Sequence, residues 1–334
     1  MSRAVESPAV RATSLTWILG GSLPAERLEL APMDGASVTL RRVSAEDQSR
    51  WREKRRVRMM GFGALGDDGD DRERSYVYLP IPEWVLDCCT VCVEVGRSAS
   101  LATGLADDQL FSAGFAATES NQLDLGSTAV VDLLRLIGGP TNLQVPMTEL
   151  LLTATVGHYA QNHQASSTPG FLWRHARERW ALEEDQSKTL AEWWSNSIIG
   201  PNAELVRWPL RRFGVARQRA FVEDRLVDLA IALEAIFVED SDSHRSTGAL
   251  IASRANRLLG GDRVTRKHRS NQLLAAYRTR SDLVHGRLPP EAEVEAAAAS
   301  LESVLREALR VLLDPASQHK NQFPVISAQP VAVV

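Results

Sequence analysis

Lysine is scarce in this 334-residue chain: Lys54, Lys188, Lys267 and Lys320 are the only lysines among 38 basic side chains. The rest is arginine, which suits bidentate phosphate recognition, although a general coding preference for arginine gives the same count. Cysteine is scarcer still. Cys88, Cys89 and Cys92 are an odd set packed into five positions, which excludes a disulfide framework and fits a reducing, cytoplasmic setting. No apolar run reaches the ~18 residues that a membrane helix needs. The apolar core at residues 15–19, preceded by Glu6, is too short for a secretory signal. Internal repeats are absent. A net charge of −4 argues against indiscriminate polyanion binding by the whole molecule.

What is present is ordinary in bulk, with 44% apolar and 24% charged residues. The length exceeds what single cores usually reach, so two domains are the natural prior. Charge is uneven. Between Arg245 and Arg287, ten basic side chains face two acids, Asp262 and Asp282, a local excess of eight.

The pattern predicts an α+β fold, with a β-rich N-terminal domain, then a helical region and a C-terminal antiparallel four-helix bundle. Residues 1–12 read as a flexible leader and 13–100 as strands. Leu28 and Leu30 alternate before Asp34-Gly35, and Val38 and Leu40 after it, which is a hairpin signal. Residues 84–95 favour strand and carry apolar side chains on both faces, which implies a central, covered strand. Residues 127–200 read as helical, with segments at 148–161 and 173–195; the domain boundary is placed near Gly200-Pro201. Four helices follow, at 222–238, 249–259, 270–285 and 291–313, the third ended by Gly286 and then Pro289-Pro290. Residues 316–334 read as a flexible tail.

Several motifs weaken on inspection. Gly61, Gly63 and Gly66 spell GxGxxG, but a charged stretch precedes them and an acidic loop follows, so they read as a turn. Asp67, Asp68, Asp70 and Asp71 lack the spacing of a calcium loop. A strand would split Cys88 and Cys92 from Cys89, poor geometry for zinc with His158 or His163, and both histidines read as helix surface. The residues implied no metal and no cofactor. The basic run 50–58 around Trp51 reads as a charged face or edge.

The third bundle helix is different. At 100° per residue Arg280 falls on the stripe of Leu273, Tyr277 and Val284, and a guanidinium on an apolar stripe must be paired or positioned. Arg254 repeats the anomaly beside Leu250, Ile251 and Leu258. Glu234 is the lone acid of an otherwise apolar stretch of the first bundle helix, so it is expected to neutralise Arg254 or Arg280. His285 lies about 140° round from Arg280 and ~7.5 Å further along an ideal helix. The two converge only if the helix end unwinds or a second chain supplies the partner.

Three blocks carry a family resemblance. Residues 223–237 resemble the opening helix of ApeA-like HEPN domains. Ser253-Arg254-Ala255 is similar to their second-helix signature, and Tyr277-Arg278-Thr279-Arg280-Ser281-Asp282-Leu283-Val284-His285-Gly286 to their RSxxVHG block, an instance of the HEPN RxxxxH motif. The resemblance spans about 100 residues of the C-terminal third. It implies a helical bundle that dimerises, with Arg280 and His285 of two protomers lining one cleft, and RNA cleavage without a metal in anti-phage defence or toxin systems. Tyr277, Ser281, Asp282, Glu234 and Arg254 become supporting residues, and Arg278, Arg287, Lys267 and Arg269 RNA contacts. Ser281 stands where the wider family often has Asn, Asp or His. Residues 13–200 are by analogy the part that senses a phage or protein trigger. The alternative is a non-catalytic HEPN module that binds a nucleotide, RNA or a protein.

Overall fold

The Asp34-Gly35 signal becomes a two-residue hairpin turn in a computed structural model of the chain. Both residues have positive φ, 49° and 80°, the geometry that matches strand twist. The structure describes residues 9–53, 57–59, 77–79, 88–100, 126–138, 143, 145, 147–154, 162–167, 180–200, 202–219, 221–239 and 246–315. The GxGxxG glycines, the Asp67–71 cluster, His158, Arg245, residues 1–8 and the tail from 316 lie outside them, while residues 9–12, read as the end of a flexible leader, are part of a strand that begins at Ala9. By packing, the chain divides into one unit drawn from 1–128 and 143–187 and another from 129–142 and 188–334. The boundary therefore falls near 188 rather than 200, and the helical unit takes in a segment from before the last strands.

The first unit is built on an antiparallel six-stranded sheet. Its strands are β1 (Ala9–Leu19), β3 (Arg27–Met33), β4 (Ala36–Arg42), β7 (Cys89–Ser100), β8 (Met147–Ala154) and β9 (Asn162–Ser167), in the order β3-β4-β7-β1-β8-β9. Short pairs β5 (Val57–Met59) with β6 (Val77–Leu79), and β2 (Gly21–Ser22) with β10 (Trp180–Ala181), accompany it. β7 lies between β4 and β1, and Cys89, Val91, Cys92, Val93 and Val95 are all fully buried, so both of its faces are covered as the sequence implies. Cys89 and Cys92 are buried thiols outside any disulfide, and burial pushes the Cys89 thiol well up.

Two readings need correction. In the segment read as a helix over 148–161, residues 148–154 are instead strand β8, paired with β1 and β9, and the rest of the segment lies outside the described residues. His163 consequently lies on strand β9 and not on a helix surface. A short apolar run has no period long enough to tell strand from helix, and here pairing decides. Conversely, helix α1 (Ala45–Glu53) interrupts what reads as all strand. Ser44 and Asp47 cap its start reciprocally: each backbone N–H donates to the other's side chain, at 2.9 and 3.1 Å.

The second unit is helical. Its helices are α2 (126–137), α3 (Glu184–Ile199), α4 (Ala203–Ala216), α5 (Val222–Phe237), α6 (Thr247–Leu259), α7 (Arg263–Val284) and α8 (Glu291–Leu313). α5 and α8 fall where periodicity puts them. Their buried faces, Leu226, Leu229, Leu233 and Phe237 against Leu301, Leu305 and Leu309, form the centre of the unit. α7 is longer than predicted because Asp262 caps its start, accepting from the Thr265 N–H at 2.7 Å. α2 packs into the same unit. Arg306 and Arg310 of α8 donate to the carbonyls of residues 135–137, satisfying orphan acceptors at its C-terminal end.

Candidate functional site at the end of helix α7

The inner stripe of α7 is Leu273, Ala276 and Tyr277, all buried. Arg280 continues it by one turn, and its guanidinium reaches Glu234 of α5 at 3.6 Å, with side chains 28% and 29% exposed. The one acid in the apolar stretch 229–237 of α5 thus meets the anomalous arginine of α7. Burial raises the Glu234 carboxyl above its ordinary range, against the opposing pull of Arg280. One turn earlier on α5, the Ala230 carbonyl accepts from the Tyr277 hydroxyl at 3.1 Å. Burial, with the Glu234 charge second, pushes that phenol well up. The Arg280 Nε is buried and has no hydrogen-bond partner among the described residues.

Arg254 takes another route. It donates to the Phe237 carbonyl at 2.6 Å and lies 3.9 Å from Glu239, so it closes the C-terminal end of α5. Of the two partners considered for Glu234, the structure selects Arg280.

His285 is the C-cap of α7, outside helical geometry at φ −89°, ψ 15°, and exposed. The chain then reverses at Gly286, whose φ of +77° costs glycine nothing and other residues a strained turn. The Gly286 N–H donates to the Leu283 carbonyl at 3.0 Å and the Arg287 N–H to the Asp282 carbonyl at 2.8 Å. This 5→2 and 6→1 pair is a Schellman stop. Asp282 and Arg287, bridged at 2.8 Å, hold its two ends where an apolar contact usually sits. Ser281, half-buried, supplies the carbonyl that accepts the His285 N–H at 3.1 Å.

Arg280 and His285 therefore differ in setting. One is half-buried against α5, the other exposed past the helix end, and no hydrogen bond or ion pair joins them among the described residues. Lys267 and Arg278 are exposed, as is Arg287 apart from its Asp282 contact. Arg269 is a correction: it is 9% exposed and donates to Asn256 Oδ1 at 3.0 Å and to the Gly260 carbonyl at 3.1 Å. Its guanidinium ties α7 to the end of α6 instead of facing a ligand. Next to His285 in the chain, Leu288, to which the sequence reading gave no role, is 90% exposed. Val284, read as part of the apolar stripe, is exposed at the helix end.

Among the described residues no group of three or more His, Cys, Asp or Glu is placed to hold a metal ion, and no helix is long and apolar enough to cross a membrane. The chain matches no protein-family model, no curated protein and no solved structure.

Proposed function

We propose that the helical unit is a HEPN-type endoribonuclease domain that cleaves RNA without a metal, in an anti-phage defence or toxin system. The observation that carries the reading is the end of α7. Arg280 lies 3.6 Å from Glu234 of α5, and one turn on, before the Gly286 reversal, His285 is exposed to solvent on the same helix.

The chemistry suits these groups. A ribose 2′-OH attacks the adjacent phosphorus, the P–O5′ bond breaks, and the products are a 2′,3′-cyclic phosphate and a free 5′-OH. The attacking oxygen must lose a proton and the leaving oxygen gain one. Imidazole titrates near neutral pH and serves either transfer. A guanidinium donates to the phosphate oxygens and stabilises charge growing on the phosphorane. With Arg280 and His285 unjoined within one chain, a complete site takes one group from each of two copies. The exposed Val284 and Leu288, close to His285 in the chain, supply apolar surface for such a contact. Arg278, Arg287 and Lys267 add attraction for the RNA backbone.

A second reading is a non-catalytic HEPN module that binds RNA, a nucleotide or a protein. It is favoured by the intramolecular pairing of Arg280 with Glu234, which gives the guanidinium a structural use, and by Ser281 at the position that often carries Asn, Asp or His. Growth on overexpression, with RNA cleavage assayed in EDTA, separates the two. Wild type is expected to be toxic and to cleave RNA, and His285→Ala to lose roughly 10²–10⁴-fold in rate, with Arg280→Ala similarly impaired. Identical behaviour of wild type and both variants would remove the nuclease reading.

A further inference from the structure

Arg280 and Glu234 are paired by charge and not by a hydrogen bond. The 3.6 Å between them exceeds the ~2.7–3.2 Å of an N–H···O bond. A guanidinium carries five N–H groups. Among the described residues none of those of Arg280 meets an acceptor, and its Nε is sealed from solvent. Other inward arginines of the unit differ. Arg269, on the same stripe, donates to Asn256 and to the Gly260 carbonyl. Arg254 donates to the Phe237 carbonyl, and Arg217 and Arg225 both donate to Glu302. Those guanidiniums are spent on the bonds they make. Arg280 is placed by its stem and an opposite charge, with its donors unused and its side chain 28% open to solvent.

Glu234 has no other claim on it. The charged and titratable groups acting on it are Arg280 and Tyr277, both of α7, and the Tyr277 hydroxyl goes to the Ala230 carbonyl. From α6, Arg254 turns to Phe237 and Glu239. The charges of α4 and α8 that reach α5 do so nearer its start, where Asp228 holds Arg212 and Arg219, and Arg225 holds Glu302. Glu293 of α8 is engaged by the Thr279 hydroxyl. A phosphodiester oxygen that reaches the open side of Arg280 makes the short, charge-assisted bonds that Glu234 leaves unmade. Two anions on one half-buried cation repel each other. Burial already disfavours the charged carboxyl of Glu234. Loss of its cation to the newcomer leaves protonation from solvent as the relief. One phosphate charge and one proton enter together, and the site stays neutral.

We propose that Glu234 is a resident counter-ion that an RNA phosphate displaces from Arg280, with a proton taken up by Glu234 as it is displaced. The choice of RNA as the anion rests on the ribonuclease reading. Binding is then linked to pH. The carboxyl is raised further in the complex than in the free chain. Between those two values the complex holds a proton that the free chain lacks, so affinity falls as pH rises.

The test uses the full chain carrying His285→Ala, so that the RNA survives and the neighbouring imidazole does not titrate. Fluorescence anisotropy is followed with a labelled 12-mer of uridine at pH 5 and pH 8. Glu234→Gln, which keeps the shape and removes the charge, is expected to tighten binding roughly 3- to 10-fold at pH 8. The gap should narrow at pH 5, where Glu234 is itself protonated in the complex. Arg280→Gln should weaken binding, and in that background Glu234→Gln should be near neutral. A gain in affinity is not a product of misfolding. Binding by Glu234→Gln no tighter than by its parent at pH 8 overturns the proposal. So does a gap equal at both pH values, a gain that persists without Arg280, or a parent that does not bind the strand. Cleavage by the wild-type chain is scored separately. RNA left intact, with the Glu234→Gln gain present, removes the ribonuclease reading and supports the displacement; cleavage without that gain overturns the displacement alone.

Discussion

Gly214 of α4 stands against Asp132 of α2, and replacing it with alanine sets two effects in opposition. Helix propensity favours alanine by about 1 kcal/mol. Sterics oppose it. A Cβ at position 214 would lie 1.7 Å from Asp132 Oδ1, 2.1 Å from Cγ and 2.5 Å from Oδ2. The obstacle is a planar carboxylate, fully buried and bonded to an equally buried Arg135 at 2.8 Å, so it has nowhere to swing. If α4 moves away, the packing of Val206, Leu210 and Phe213 loosens, and overpacking of this kind costs ~1–3 kcal/mol. If Asp132 turns away, a buried ion pair breaks at a cost of ~3–5 kcal/mol. The chain takes the cheaper relaxation, so with propensity set against it Gly214→Ala is expected to lose up to about 2 kcal/mol, a fall in Tm of up to roughly 8 °C for a unit of this size. Urea and thermal melts followed by far-UV circular dichroism give the number. A double-mutant cycle isolates the cause: in an Asp132→Ala/Arg135→Leu background the same substitution should be near neutral. A Gly214→Ala chain that melts at or above wild type, or a penalty unchanged in that background, would refute the reasoning.

Two further outcomes are expected. Burial raises the Asp132 carboxyl to about 7, its Arg135 and Arg211 neighbours pulling the other way. Between the ordinary carboxylate value near ~4 and that raised value, the folded chain holds a proton that the unfolded chain has released, so stability falls as pH rises through this window. Asp132→Asn should flatten that slope in urea melts taken from pH 4 to 8, and an unchanged slope would contradict the assignment. Arg269→Ala should lower stability by about 1–3 kcal/mol, because it removes the bonds joining α7 to the end of α6. It should leave the salt slope of RNA binding unchanged, whereas Arg278→Ala should lower that slope by about 1 with little effect on the melt.

Legibility followed how much of each signal was local. The Asp34-Gly35 turn, the covered strand β7 and the bounds of α5 and α8 could be read directly, since turn chemistry and periodicity reside in neighbouring residues. The helix reading failed over 148–154 because β8 is defined by pairing, with β1 far earlier in the chain and with β9 just beyond it. The early start of α7 was written in the chain as Gly260-Gly261-Asp262 with Thr265 three residues on. It was masked by the charged run that follows, which shows no apolar period.

The site divides the same way, and Arg269 shows why. Composition counts it with the basic residues of an RNA surface. Periodicity does not: Arg269 and Arg280 are eleven residues apart, 1100° of helix, so they lie within about 20° of each other. The stripe that marks Arg280 as a guanidinium in need of a partner therefore marks Arg269 as well, and both are found turned inward, one to Asn256 and the Gly260 carbonyl, the other to Glu234. Arg278, two residues from Arg280 and thus 200° away, falls outside by the same arithmetic and is exposed. Geometry along one helix sorts the cations into those that hold the bundle and those free to meet phosphate. What it cannot reach is the identity of each inward partner, because Glu234 and Asn256 come from other helices.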